Sequence, residues 1–110
     1  GNPRGFNPKY IHDEAWGVRS SADGGCVVVA GTGDEYNNYK KRCGNLGDNS
    51  NIWHVYIIKF NNTGSVDWEK TYAAESKVNW AGEDIDLTPD GGAIVAVDNS
   101  SFGFLKIKPF

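Results

Sequence analysis

One stretch of this chain occurs twice. Ser21-Ala22-Asp23-Gly24-Gly25-Cys26-Val27-Val28-Val29-Ala30 returns 67 residues later as Thr88-Pro89-Asp90-Gly91-Gly92-Ala93-Ile94-Val95-Ala96-Val97. A repeat constrains a fold more than any local signal, because each copy must be one supersecondary unit that buries its apolar face against its neighbour. A second pair follows each copy. Val55-Tyr56-Ile57-Ile58-Lys59-Phe60 matches Phe102-Gly103-Phe104-Leu105-Lys106-Ile107 at a spacing of only 47, so the first copy carries about 20 extra residues between its two motifs. A weaker echo sets Phe6-Asn7-Pro8-Lys9-Tyr10 beside Trp68-Glu69-Lys70-Thr71-Tyr72.

Each repeated piece reads as turn then strand. Asp-Gly-Gly supplies a turn because glycine takes positive φ without a steric cost. The β-branched runs after it have the composition of buried strands. Asn61-Asn62-Thr63-Gly64 is a further hairpin turn, after which Val66, Trp68 and Lys70 alternate with Asp67, Glu69 and Thr71. No segment keeps a helical period. The pattern predicts strands over 15–21, 26–32, 53–60 and 65–73 in the first copy, and over 83–88, 93–98 and 102–108 in the second. The second copy lacks its fourth strand, and Phe6–Tyr10 is the candidate to supply it, with Pro8 tolerable on an outer edge. The expected fold is therefore all-β: two four-stranded antiparallel meanders in one domain over 1–110. Repeat one covers about 12–74, and repeat two covers about 83–110 together with 5–10. Trp16, Trp68, Val27, Val29, Ile57, Ile94, Val95 and Leu105 read as core.

The residues also resemble a family. Asp23-Gly24-Gly25, Trp53, Lys59-Phe60-Asn61, Gly64, Val66, Trp68, Lys70 and Tyr72 are similar to the repeat of secreted bacterial β-propeller proteins. The second copy departs from that pattern at Gly103. The resemblance implies blade-like sheets and secretion, and it fixes no activity, since propellers host many functions. Two blades do not close a propeller. Either the chain forms a ring of copies, or it is part of something larger, or the two sheets close as a small sandwich or barrel.

Composition narrows the function classes. The chain has 110 residues, 39% hydrophobic, with 14 acids, 11 bases and a net charge of −3. A chain of this length buries roughly 65% of its unfolded surface, enough for one modest core. No basic excess is present to neutralise phosphates, so nucleic acid is not an expected partner. The longest apolar runs, Cys26–Ala30 and Ala93–Val97, are far too short for a membrane helix, so no membrane is expected either. The start has no apolar stretch of a signal peptide, and methionine is absent even at position 1, as expected of a processed or excised chain. Cys26 and Cys43 form either one disulfide, worth about 3 kcal/mol by loop closure, or a buried free thiol and an unrelated loop thiol.

In such a meander the tight turns share one end and the long connections share the other. The long end holds Gly33–Asn51, with five asparagines, two tyrosines, three bases and three acids, and the 73–82 connection with Trp80. Loops longer than a turn requires are commonly functional. Aromatic rings stack on the apolar face of a sugar ring while amides and charged groups bind its hydroxyls. Asp34, Glu35, Tyr36, Asn37, Asn38, Tyr39, Lys40, Arg42, Trp53 and Trp80 are therefore the candidate ligand-binding residues. Each has a bland alternative as part of a solvated loop, with the tryptophans packed beneath it.

Other constellations weigh less. His12-Asp13-Glu14 reads as a polar strand start, since neighbours on a strand point opposite ways. His54 has no spaced metal partner. Asp48-Asn49-Ser50-Asn51 is oxygen-rich and is a weak calcium candidate without a full loop pattern, so no cofactor is expected. Gly31-Thr32-Gly33-Asp34 lacks the parts of a phosphate loop, and no Gly-x-Ser-x-Gly occurs. The expected function is a non-catalytic carbohydrate-binding module or small lectin. Three bases in the long loop favour an acidic polysaccharide, and a neighbouring catalytic domain or a homo-oligomer is the expected setting. The alternative is a structural or protein-interaction portion of a larger propeller with no ligand of its own.

Overall fold

A computed structural model describes residues 12–33, 53–72, 80–98 and 102–110. Seven strands run β1 (His12–Ser20), β2 (Cys26–Gly33), β3 (His54–Phe60), β4 (Val66–Tyr72), β5 (Ala81–Leu87), β6 (Ala93–Asp98) and β7 (Phe102–Ile107). They form two antiparallel meanders, β1-β2-β3-β4 and β5-β6-β7. The described residues contain no helix, and so none long and apolar enough to cross a membrane. The expected Phe6–Tyr10 strand lies outside the described residues, among which the second sheet has three strands.

The repeat holds in three dimensions to single-residue register. Ala15 faces Ala30 and Gly17 faces Val29 in the first sheet, with Trp16 as an extra residue between them. In the second, Gly82 faces Val97 and Asp84 faces Ala96, with Glu83 as the extra residue. Both sheets thus carry a β-bulge at the same place in the repeat. A single inserted residue re-aims its side chain without any compositional mark. Val27 opposite Lys59 likewise corresponds to Ile94 opposite Lys106.

The turns repeat as closely. Gly24 and Gly91 both sit at φ +85°, where an L side chain is strained. Ser21 and Thr88 each accept from the glycine amide and donate back across the turn. Asp23 Oδ1 accepts from the Gly25 amide at 3.0 Å and the Ser21 hydroxyl at 2.5 Å. Asp90 repeats this with the Gly92 amide at 3.1 Å and the Thr88 hydroxyl.

The core lies between the sheets. Val27, Val29, Val55 and Ile57 of the first pack with Ile85, Ala93, Val95, Val97 and Ile107 of the second. Trp68 and Leu105 pack against this cluster, half-buried. Two expectations of the core need correction. Ile94 is exposed, because it points away from the first sheet. An unbroken apolar run such as Ala93–Val97 carries no phase to say which alternate residues face inward. Trp16 is 40% exposed, because the bulge turns it out of the alternation. Val66 is exposed because Asp67 is skipped between the Trp68 and Val66 pairings. The candidate Cys26–Cys43 bond falls on Cys43, outside the described residues, and Cys26 itself is a free thiol. It opens β2 at the tight-turn end.

Candidate functional site

The long connections do meet at one end of the sheets. The Trp80 amide donates to the Trp53 carbonyl at 2.8 Å, tying the start of β5 to the start of β3. Three tryptophans gather near there. Trp16 and Trp53 lie with ring centroids 6.1 Å apart and planes tilted by 35°. They stand over Gly31 and Gly33 of β2. A Cβ on Gly31 would come within 2.8 Å of both indoles, and one on Gly33 within 2.9 Å of Trp53. Glycine is the residue that leaves room for these rings, which is why β2 ends Gly-Thr-Gly.

The three rings differ in role. Trp80 is half-buried and packs against the core cluster, and its buried Nε1 finds no hydrogen-bond partner among the described residues. Trp53 is half-buried under Trp16. Trp16 is the accessible ring. It borders a shallow depression of about 780 Å³ lined also by Ala15, Arg19, Glu83 and Asp84. The two bulge residues, Trp16 and Glu83, therefore meet there from the two repeats. Arg19 crosses between the sheets to Asp84 at 3.4 Å and Asp86 at 3.8 Å, an exposed pair worth little by itself.

On the other face of the first sheet Tyr56 is buried and donates to Glu69 Oε2 at 2.7 Å. Burial, then this bond, push its phenol far above its usual value, so it stays a donor at any physiological pH. Thr32 stands opposite Asp13 and His54 in the register. It is fully buried, and its hydroxyl finds no partner among the described residues. Among the described residues no three His, Cys, Asp or Glu side chains gather as a metal site.

Of the sequence-predicted site residues, Trp53 and Trp80 are brought together. Asp34, Glu35, Tyr36, Asn37, Asn38, Tyr39, Lys40 and Arg42 lie outside the described residues, as does the calcium candidate Asp48–Asn51. Sequence reasoning missed Trp16, Arg19 and Glu83. The signal was present as the 67-residue spacing of Trp16 and Glu83, each between a small residue and the next paired position.

Comparison with known proteins leaves the fold and site to stand alone: no family model, no curated protein and no solved structure gives a match. The class these features define is an all-β chain of two antiparallel sheets built from one repeat.

Proposed function

We propose that this chain is a non-catalytic module of a secreted protein that binds a polysaccharide at its long-connection end. The observation that carries the reading is Trp16, an exposed indole backed by Trp53 and flanked by Arg19, Glu83 and Asp84. A flat ring beside fixed charged groups is the pairing that a pyranose needs, with stacking on one face and hydrogen bonds to its hydroxyls. Trp53 ends the long connection that Gly33 begins, and a Cβ on Gly33 would come within 2.9 Å of its ring, so Tyr36 and Tyr39 on that connection are the further rings of this reading. Lys40, Lys41 and Arg42 on the same connection favour an acidic glycan. In this reading the two sheets are successive propeller blades, and Phe6–Tyr10 adds the fourth strand beside β7.

Affinity electrophoresis against acidic and neutral polysaccharides, with a glycan array, tests the reading. Retardation is expected with an acidic glycan. Trp16→Ala should weaken it by about 1–3 kcal/mol, the size of a lost aromatic anchor, while leaving the melting temperature nearly unchanged. Failure of every polysaccharide to retard the chain would sink the reading.

A further inference from the structure

The two outer faces of the sheet pair are not equivalent to each other, and the repeat shows what each is made for. The only interface between described sheets brings one face of the first sheet onto one face of the second. Four residues of the first sheet dominate its side: Val27, Val29, Val55 and Ile57, all fully buried. Their counterparts at the repeat spacings are Ile94, Ala96, Phe102 and Phe104. These lie together on the outer face of the second sheet. Phe102 is 74% exposed and Phe104 60% exposed, and the two pack edge to face at 4.9 Å with nothing above them among the described residues.

The correspondence holds in the other direction. Ile85 and Val95 are buried on the second sheet's side of the interface. Their counterparts Val18 and Val28 sit on the outer face of the first sheet, where Val18 is 55% exposed and Val28 half-buried; the open part of that face is its tight-turn end, since Ala30, Thr32 and Tyr56 further along it are buried. Charge follows the same rule. Arg19 meets Asp84 and Asp86 across the existing interface. At the repeat spacing Arg19 becomes Asp86, and Asp86 becomes Arg19, so opposite signs would again meet.

We propose that the outer face of the second sheet docks onto the outer face of the first sheet of another copy of this chain, head to tail. The contact continues the interface already inside the molecule, and a second copy carries both complementary surfaces. Such a heterologous contact builds a ring if its rotation closes, and a filament if it does not. The inference does not depend on glycan binding, and the experiment contains none.

Light scattering on the eluting chain, from about 1 μM to about 1 mM, spans the range in which weak association becomes visible. A mass that rises above the monomer is expected. Phe104→Asp blocks one face and Val18→Asp the other, so each variant alone should run as a monomer. Mixed in equal amounts they should form a 1:1 dimer and nothing larger, because one intact face of each kind remains. Circular dichroism checks that each variant folds, and Phe102→Asp replaces Phe104→Asp if that one does not. A chain that stays monomeric throughout would overturn the second copy as occupant. An associating natural chain whose two variants fail to combine would overturn the head-to-tail geometry.

Discussion

Lys59 and Lys106 occupy the same place in the two repeats and live in different worlds. Lys59 has a side chain only 6% exposed and donates to Asp23 at 2.8 Å, Asp67 at 3.3 Å and the Phe60 carbonyl at 2.7 Å. Lys106 reaches the same turn in its own repeat, with the Thr88 hydroxyl at 3.1 Å and both Asp90 oxygens at 3.4 Å, but its side chain is 50% exposed. The difference is not in the local sequence, since both lysines follow the same strand pattern and face the same Asp-Gly-Gly turn. It arises because the first sheet's face is covered and the second's is open. A shared device thus rests on a covered lysine with two half-exposed carboxylates in one copy, and is a surface contact in the other. Covering, rather than residue type, sets its weight.

The largest test of this contrast is a pair of truncations. Ile57→Ala should cost about 2–5 kcal/mol in urea unfolding, as a large-to-small change in a sealed core. Phe104→Ala, at the matching position, should cost the monomer under about 1 kcal/mol. Equal costs would break the comparison. Trp80→Ala should follow at about 3 kcal/mol, because its ring packs on the core. A variant that keeps its stability would instead mark Trp80 as a ligand platform.

The turns provide the control, since they are alike whether covered or not. Gly24→Ala and Gly91→Ala should each cost about 1–2 kcal/mol for forcing a side chain into positive φ. A higher cost at Gly24 would trace to Asn62, whose Cβ lies 3.2 Å from where the new side chain would begin, against 3.9 Å to Pro109 at Gly91.

Acid gives the smallest effect. Asp23 titrates well below the usual carboxylate range, held there first by the Lys59 ammonium and then by the Ser21 hydroxyl and the Gly25 amide. Asp90 is lowered too, first by the Thr88 hydroxyl and then by the Gly92 amide. A depressed folded pKa contributes stability that is complete above the unfolded value, about 3.9, and is lost as pH falls through the folded one. Stability should therefore decline below about pH 4, and Asp23→Asn should flatten that decline more than Asp90→Asn, as melts across the acid range would show. The Lys59 ammonium is raised above its usual value, mainly by Asp23. Its own contribution is present below about pH 10.4 and fades only above it.

Much of this architecture was legible in the residues. Asp23-Gly24-Gly25 and Asp90-Gly91-Gly92 marked the turns, and all seven strands begin within three residues of their expected starts. The phase of the second sheet was not legible, because Ala93–Val97 is apolar at every position and only the partner face decides which alternate residues are buried. Trp16 escaped for another reason. Its size argues for burial, and a one-residue bulge overrides that argument without changing the composition. For the site, Trp53 and Trp80 were readable as neighbours from the meander's geometry, whereas Glu83 and Asp84 meet Trp16 only through the packing of one sheet on the other.

The matched bulges at Trp16 and Glu83 have a consequence for ancestry. Two copies that share a register irregularity, and not merely a turn, descend from a unit that already had it. Lineages of this kind can lengthen by duplicating a gene segment, with no new interface to evolve at each step. The face that such lengthening would cover next is the one bearing Phe102 and Phe104, which stand 74% and 60% exposed.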